Sequence, residues 1–218
     1  MKTKQLLLTA AIIFAGTTSA IAQEMNWGIK AGANYAKLTS DMDPDYIFGF
    51  HAGLVAEYKL TSQFALQPEL LYSLEGAKAE MDFREGEFFF SSEEKIKLGY
   101  INLPVMAKYY VTPALSFEAG PQIGFLVSGE SEYEIASNFD EFEIDESGTE
   151  DIRDEVKKIS FGLNFGLGYD ISSSLFVQAR YHLGLSDISD YDEQDDEFEV
   201  DFEEIKNQSF QLSLGYKF

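Results

Sequence analysis

The sequence predicts an all-β fold: an eight-stranded antiparallel up-and-down transmembrane β-barrel with long acidic extracellular loops. Three observations predict it. Apolar residues recur at every second position over eight separate stretches, which gives each strand one apolar face. The connections between these stretches alternate strictly between short and long. Outer-membrane barrels have that pattern, with short periplasmic turns and longer extracellular loops. The first 22 residues read as an export signal.

Lys2 and Lys4 form a positive start, and Leu6, Leu7, Leu8 and Ala10–Gly16 an apolar stretch. Ala20-Ile21-Ala22 is a small-x-small cleavage pattern. The chain therefore divides into a signal peptide, 1–22, and an outer-membrane β-barrel domain, 23–218.

The first strand alternates Trp27, Ile29, Ala31, Ala33 and Tyr35 with Gly28, Lys30, Gly32 and Asn34. The second carries Phe48, Phe50, Ala52, Leu54, Ala56 and Tyr58 on one face, with His51 and Glu57 on the other. The third sets Phe64, Leu66, Pro68, Leu70, Tyr72 and Leu74 against Gln67, Glu69, Ser73 and Glu75. In the fourth, Leu103, Val105, Ala107 and Tyr109 alternate with Asn102, Met106 and Lys108. Ile96, Leu98 and Tyr100 break its phase, so either a bulge near Gly99–Ile101 absorbs one residue or the first part of the strand lies above the membrane, where facing matters less. The fifth alternates Phe117, Ala119, Pro121, Ile123 and Phe125 with Glu118 and Gln122. The sixth alternates Phe161, Leu163, Phe165, Leu167 and Tyr169 with Asn164 and glycines. In the seventh, Val177, Ala179, Tyr181 and Leu183 oppose Gln178, Arg180 and His182. The eighth sets Phe210, Leu212, Leu214, Tyr216 and Phe218 against Gln211, Ser213, Gly215 and Lys217.

Short turns fall at Leu60-Thr61-Ser62, Val111-Thr112-Pro113 and Ile171-Ser172-Ser173. Long connections fall at about 38–47, 77–95, 130–156 and 187–206, and an even strand count puts both termini on the periplasmic side. A soluble sandwich would also alternate. The charge and glycine on the alternate face, the export signal and a set of aromatics at one rim favour the membrane. That set is Trp27, Tyr58, Phe64, Tyr109, Phe117, Tyr169, Tyr216 and Phe218.

Composition narrows the function. The 218 residues include 38 acidic and 16 basic side chains and no cysteine. Disulfides, thiolate metal sites, a Cys nucleophile and a lipid-modified N-terminal Cys are therefore excluded. Nucleic acid is excluded as a partner, because phosphate binding needs clustered Lys and Arg.

Three strands resemble a known family. Residues 98–109, LGYINLPVMAKY, look like the Y-[ILV]-x-[ILV]-P-[ILV]-x-x-K-Y strand of the PorT-like outer-membrane β-barrel family of Bacteroidetes. Residues 117–124, FEAGPQIG, resemble its following aGPxxG strand, and residues 28–34, GIKAGAN, its opening G-[ILV]-K-x-G-x-N strand. The resemblance covers about residues 24–218, loops apart. It implies the barrel scaffold and no shared activity.

Inward positions carry Lys30, Lys59, Lys108, Arg180 and Lys217 beside Glu57, Glu69, Glu75, Glu118 and Asp170. Side chains fill the interior of an eight-stranded barrel. These charges are therefore expected to pair and plug the lumen rather than line a pore. His51 and His182, the two histidines, fall inside as well. A lipid-modifying enzyme needs its base and nucleophile near the lipid face. No catalytic residue is expected, and the protein is read as a non-enzyme. A narrow channel or transport-associated barrel is the alternative, followed by a lipid-modifying enzyme.

The acidic connections are the distinctive feature. Residues 130–156 carry a net charge of -11 and residues 187–206 of -10. Asp190-x-Asp192-x-Gln194 hints at a calcium loop, but Asp195 stands where glycine is needed and Asp201 where the twelfth-position Glu belongs. Asp190, Asp192, Asp195 and Asp196 are the candidates for loosely bound Ca²⁺ or Mg²⁺. Phe198, Val200 and Phe202 alternate with acids, as do Tyr133 with Ile135 and Phe142 with Ile144, so hairpins are expected to continue above the membrane. The reading is a monomer in the cell outer membrane with a structural or surface-interaction role. Its partners are outer-membrane lipid, the barrel-assembly machinery and an extracellular protein or cation.

Overall fold

The computed structural model describes residues 25–39, 44–86, 88–139, 142–190 and 204–218. Residues 1–22, expected to be an export signal, lie outside them. The described residues form nine strands: β1 (Met25–Thr39), β2 (Asp45–Lys59), β3 (Phe64–Glu85), β4 (Phe88–Tyr110), β5 (Leu115–Phe139), β6 (Phe142–Asp151), β7 (Ile159–Asp170), β8 (Leu175–Gly184) and β9 (Lys206–Lys217). Eight of them close into a ring, ordered β4-β3-β2-β1-β9-β8-β7-β5 and sealed by β4–β5 pairing. β6 stands outside the ring, paired to β5.

The three short turns use one local device. The N–H groups of Leu60, Val111 and Ile171 donate to the carbonyls of Phe64, Leu115 and Leu175. Within each turn one hydroxyl, of Thr61, Thr112 or Ser172, accepts from the first N–H of the next strand and from the N–H just before it. Such side-chain-to-backbone bonds are why Ser and Thr favour turns.

The period-two reading holds through the ring. Leu54, Leu70, Phe117, Phe165, Leu212 and Leu214 are exposed on the outer wall, whereas Asn34, Gln67, Asn102, Gln122, Asn164, Gln178 and Gln211 are buried inside. A polar interior within an apolar wall is the arrangement a bilayer demands. The aromatics expected at the periplasmic rim lie there, with Phe64 and Tyr109 rings 5.0 Å apart.

The phase break in β4 has a different cause from the expected bulge in that strand. β4 pairs with β3 without interruption here, from Leu71↔Asn102 to Glu85↔Phe88. The register shift lies on the other side, where Gly99↔Ser128 is followed by Tyr100↔Leu126. Val127 of β5 is the extra residue. Leu98 and Tyr100 therefore stay inward-facing and are almost fully buried.

They belong to an apolar stopper at the extracellular mouth. Leu38, Ala77, Leu98 and Tyr100 pack there with Ile152, Val156 and Ile188, and Ile96, Leu126 and Ile205 lie against them. Ile152, Val156, Ile188 and Ile205 come from the connections after β6 and β8. Ile152, Val156 and Ile188 are buried, and fully burying such a side chain contributes about 1.5–3 kcal/mol. Backbone bonds hold the connections over the mouth: Ile152 to Gly129, Lys157 to Ile188, Ile188 to Ile205 and Asp190 to Glu155.

The connection 77–95, expected as a loop, is largely strand, and 130–156 holds a hairpin where the alternation at Tyr133, Ile135, Phe142 and Ile144 led one to be expected. Phe198, Val200 and Phe202 lie outside the described residues. β3 and β4 stay paired out to Glu85↔Phe88, and β5 continues to pair with β4 up to Phe90↔Ser137. β2 leaves β3 at Asp45↔Lys78. Beyond that point β3, β4, β5 and β6 form a four-stranded blade, which rises roughly 25 Å along β3 at about 3.3 Å per residue. Gly86 turns the tip with a left-handed φ of 64°, a conformation glycine adopts without steric cost.

Candidate functional site

Each of the eight ring strands sends one charged side chain to a single chain of ion pairs in the lumen. Lys30 Nζ lies 2.8 Å from Glu69 Oε2. Arg180 donates to both oxygens of Glu69, at 2.9 and 2.7 Å, and through Nε to Glu118 Oε2 at 2.9 Å. Lys108 links Glu118, at 3.4 Å, to Glu57, at 2.9 Å. Lys217 links Glu57, at 3.0 Å, to Asp170, at 3.1 Å. The order is Lys30, Glu69, Arg180, Glu118, Lys108, Glu57, Lys217, Asp170, with the sign alternating at every step. Buried ions cost several kcal/mol each unless paired and hydrogen-bonded. Here Gln67, Gln178 and Tyr110 supply further bonds to Glu69, Glu118 and Glu57.

Two charges expected in this network behave differently. Lys59 is exposed at the rim, its ammonium 5.7 Å from the centre of the Tyr110 ring. Glu75 is buried, and its Oε1 accepts from Ser73 Oγ and Asn102 Nδ2 rather than from a cation. Below the ion chain, Phe176 is buried under Lys108 and Lys217. Gly215 makes room for it, since a Cβ there would come within 2.0 Å of the Phe176 ring.

Both histidines are hydrogen-bonded lumen residues. His182 Nδ1 meets Asn164 Oδ1 at 3.1 Å. His51 lies between Ser213 Oγ and Asn34 Oδ1, each at 2.7 Å. A nucleophile, a base and an orienting amide at hydrogen-bond distance have the outline of a hydrolytic triad. Ser213, His51 and Asn34 are nonetheless all within 3% of full burial, beneath the stopper and away from the lipid face. A lipid substrate cannot reach that hydroxyl, so the bonds serve the lumen packing.

Asp187 ties the connections that carry the stopper. Partial burial disfavours its charge, yet bonds from Lys157 Nζ (2.6 Å), Ser189 Oγ (2.7 Å), Ser189 N (3.1 Å) and Ile205 N (3.0 Å) outweigh that. They hold its carboxyl well below the ordinary range. Asp190, one of the four candidate cation ligands, is exposed nearby and acts on Lys157 together with Asp187 and Glu204. Asp192, Asp195 and Asp196 lie outside the described residues. Among the described residues no three His, Asp or Glu side chains group as a metal site.

The blade has two unlike faces. One continues the lumen wall upward and carries Ala79, Met81, Phe83, Phe90, Tyr133 and Ile135, with Met81 and Phe83 exposed. The other carries Lys78 paired with Glu80 and Glu93, and Lys97 paired with Glu132. The sequence held this pattern, since Ala79, Met81 and Phe83 alternate with Glu80, Asp82 and Arg84. Charge on the outward side hid it from a search for lipid-facing strands.

The chain resembles the Yersinia pestis attachment invasion locus protein Ail, solved with the heparin analogue sucrose octasulfate, at 15% identity over 89% of this chain and 99% of that one, with a TM-score of 0.44. It resembles Neisserial surface protein A at 13% identity over 88% and 97%, TM-score 0.42. Acinetobacter baumannii CarO matches at 10% identity over 86% and 97%, TM-score 0.35. No curated protein sequence matches the chain. The model of the outer membrane protein β-barrel domain family matches residues 21–190. With most of its length under that match, and with eight strands closed around a polar lumen, the chain belongs to the outer membrane protein β-barrel domain family.

Proposed function

We propose that this protein is a non-enzymatic surface protein of the outer membrane, with the barrel as a sealed anchor and the blade as its working part. One observation carries the reading. The interior is filled by an ion chain drawn from every ring strand and roofed by an apolar stopper, while four strands project into the medium with Met81 and Phe83 uncovered. A pore has the opposite requirement, an open polar path. Projecting sheets with exposed apolar side chains are interaction surfaces, so the partner is an extracellular protein met by a monomer. The net charges of 130–156 and 187–206 support a second element, the loose gathering of Ca²⁺ or Mg²⁺ at the outer face. The motifs at residues 28–34, 98–109 and 117–124 support a place in the PorT-like branch of the family, and segment 1–22 supports export by a cleaved signal.

Two measurements test the anchor-and-blade reading. Purified protein in planar bilayers should give no unitary conductance. A photo-crosslinking residue at Met81 or Ser147 on intact cells should capture an extracellular protein, and one at Leu212 should not. Steady conductance without capture at the blade would replace this reading with the narrow channel.

A further inference from the structure

We propose that the free edge of β6 takes an added strand from a basic, extended polypeptide segment. The proposal rests on the surface-interaction reading and names the chemistry of its partner.

β6 pairs with β5 along its whole length, from Glu130↔Asp151 to Phe139↔Phe142, with no break in register. Among the described residues no strand pairs with its other edge. Every second N–H and C=O on that edge points outward, a ready template for another strand. Natural edges are blunted by lysine, proline, bulges or short length. β6 has ten residues, FEIDESGTED, with neither lysine nor proline.

Its protection is charge of one sign. β6 carries Glu143, Asp145, Glu146, Glu150 and Asp151, and residues 129–151 contain no Lys or Arg. Arg153 engages Asp151 at 2.6 Å. Asp145, Glu146 and Glu150 are exposed, and among the described residues no cation pairs with them. Like charges placed opposite each other destabilise a strand pair and opposite charges stabilise it. A second β6 edge is therefore repelled. An incoming strand with Lys or Arg at alternate positions satisfies both the backbone and the carboxylates. The other blade edge, on β3 beyond Lys78, differs because it holds its own cations, Lys78 and Arg84.

The test uses the full-length protein in nanodiscs and a labelled ten-residue peptide alternating Lys with Val. Two further peptides complete it: a Glu–Val version, and the Lys–Val peptide N-methylated at each residue, which keeps the charge but cannot donate to a ladder. The Lys–Val peptide should bind by fluorescence anisotropy and slow amide hydrogen exchange within 142–151, while the other two should not. The triple variant Asp145→Asn, Glu146→Gln, Glu150→Gln should weaken binding about tenfold, as expected from three modest exposed ion pairs. Equal binding of the N-methylated peptide would reduce the effect to charge adsorption and overturn the proposal. Absence of binding, protection confined to other strands, or self-association of the protein through β6 would overturn it too. If crosslinks at Ser147 still capture a protein while the peptide fails, the surface role stands and this inference alone falls. If neither occurs, both fall.

Discussion

Arg180 and Glu69 meet across the lumen through two hydrogen bonds, at 2.7 and 2.9 Å, although β8 and β3 are separated by three strands in the ring. The pair is a cross-brace between opposite walls. Glu69 also holds Lys30, at 2.8 Å, whereas Glu118 shares both of its cations, Arg180 and Lys108, with another carboxylate. The two glutamates are equally buried and unequally replaceable.

Glu69→Gln leaves Lys30 with no carboxylate and Arg180 with one. Breaking a buried pair from one side costs about 3–5 kcal/mol. Glu118→Gln leaves Arg180 with Glu69 and Lys108 with Glu57, so it should cost less. Unfolding by urea in lipid vesicles, followed through the single tryptophan, Trp27, gives both values. Lys30→Met added to Glu69→Gln should recover part of the loss. Equal losses from the two glutamates would contradict the pairing order.

The outer wall makes a separate prediction. Leu212 and Leu214 both face outward on β9, and Leu214 lies nearer the periplasmic rim. An arginine on the lipid face near the midplane costs about 2–4 kcal/mol and less toward the interface. Leu212→Arg should therefore impair membrane assembly more than Leu214→Arg, as read from heat-modifiable migration of the folded barrel. Assembly unaffected by either would reverse the facing of β9.

The stopper should loosen only in acid. Asp187 has its carboxyl depressed by the bonds from Lys157, Ser189 and Ile205, which outweigh its partial burial. A depressed carboxyl stabilises the fold fully above its unfolded value, about 3.9, and loses that contribution as pH falls toward the lower folded value. The amide resonances of Ser189 and Ile205 should stay fixed from neutral pH down to about 4 and move below it. Asp187→Asn should bring the loosened state to neutral pH, seen as faster exchange of the Ile188 amide. An amide transition near neutral pH in the unaltered protein would point to a different group.

How far these features could be read from the chain depends on their range. Alternation is local, so the wall strands and their facing at Leu212, Asn164 and His51 were legible from neighbours two residues apart. The inward placement of Arg180 and Glu69 followed from the same rule. Their partnership did not, because it joins positions 111 residues apart through ring closure. Leu98 and Tyr100 looked like an error of phase because the lumen was expected to be polar throughout. They are apolar because the mouth is roofed by Ile152, Val156 and Ile188, which distant connections deliver. β6 was foreshadowed only by Phe142 and Ile144 among acids, since nothing local marks which strand will accept such a hairpin.

The last prediction concerns the acidic connections. Segments 130–156 and 187–206, net -11 and -10, rise from the same end of the barrel. Exposed charges closer than the Debye length, about 8 Å at physiological ionic strength, repel appreciably. Part of this repulsion is met internally: Arg153 engages Asp151, Lys157 engages Asp187 and Lys206 engages Glu204. The remaining carboxylates far outnumber these cations. Divalent ions suit such a surface, since Ca²⁺ takes several carboxylate oxygens in flexible geometry. Millimolar Ca²⁺ or Mg²⁺ should therefore draw the connections together and leave the ring unchanged. Arg153 and Lys206 report on this directly, because trypsin cleaves after each and both lie in these segments. Cleavage at both sites should slow in Ca²⁺ relative to Na⁺ at matched ionic strength, with Trp27 fluorescence unaltered. Asp190→Asn alone should change little, because it removes one carboxylate of the many that these segments carry. Equal cleavage rates in the two salts would mean that the acidic face is only screened, and the cation-binding element of the proposed function would be withdrawn.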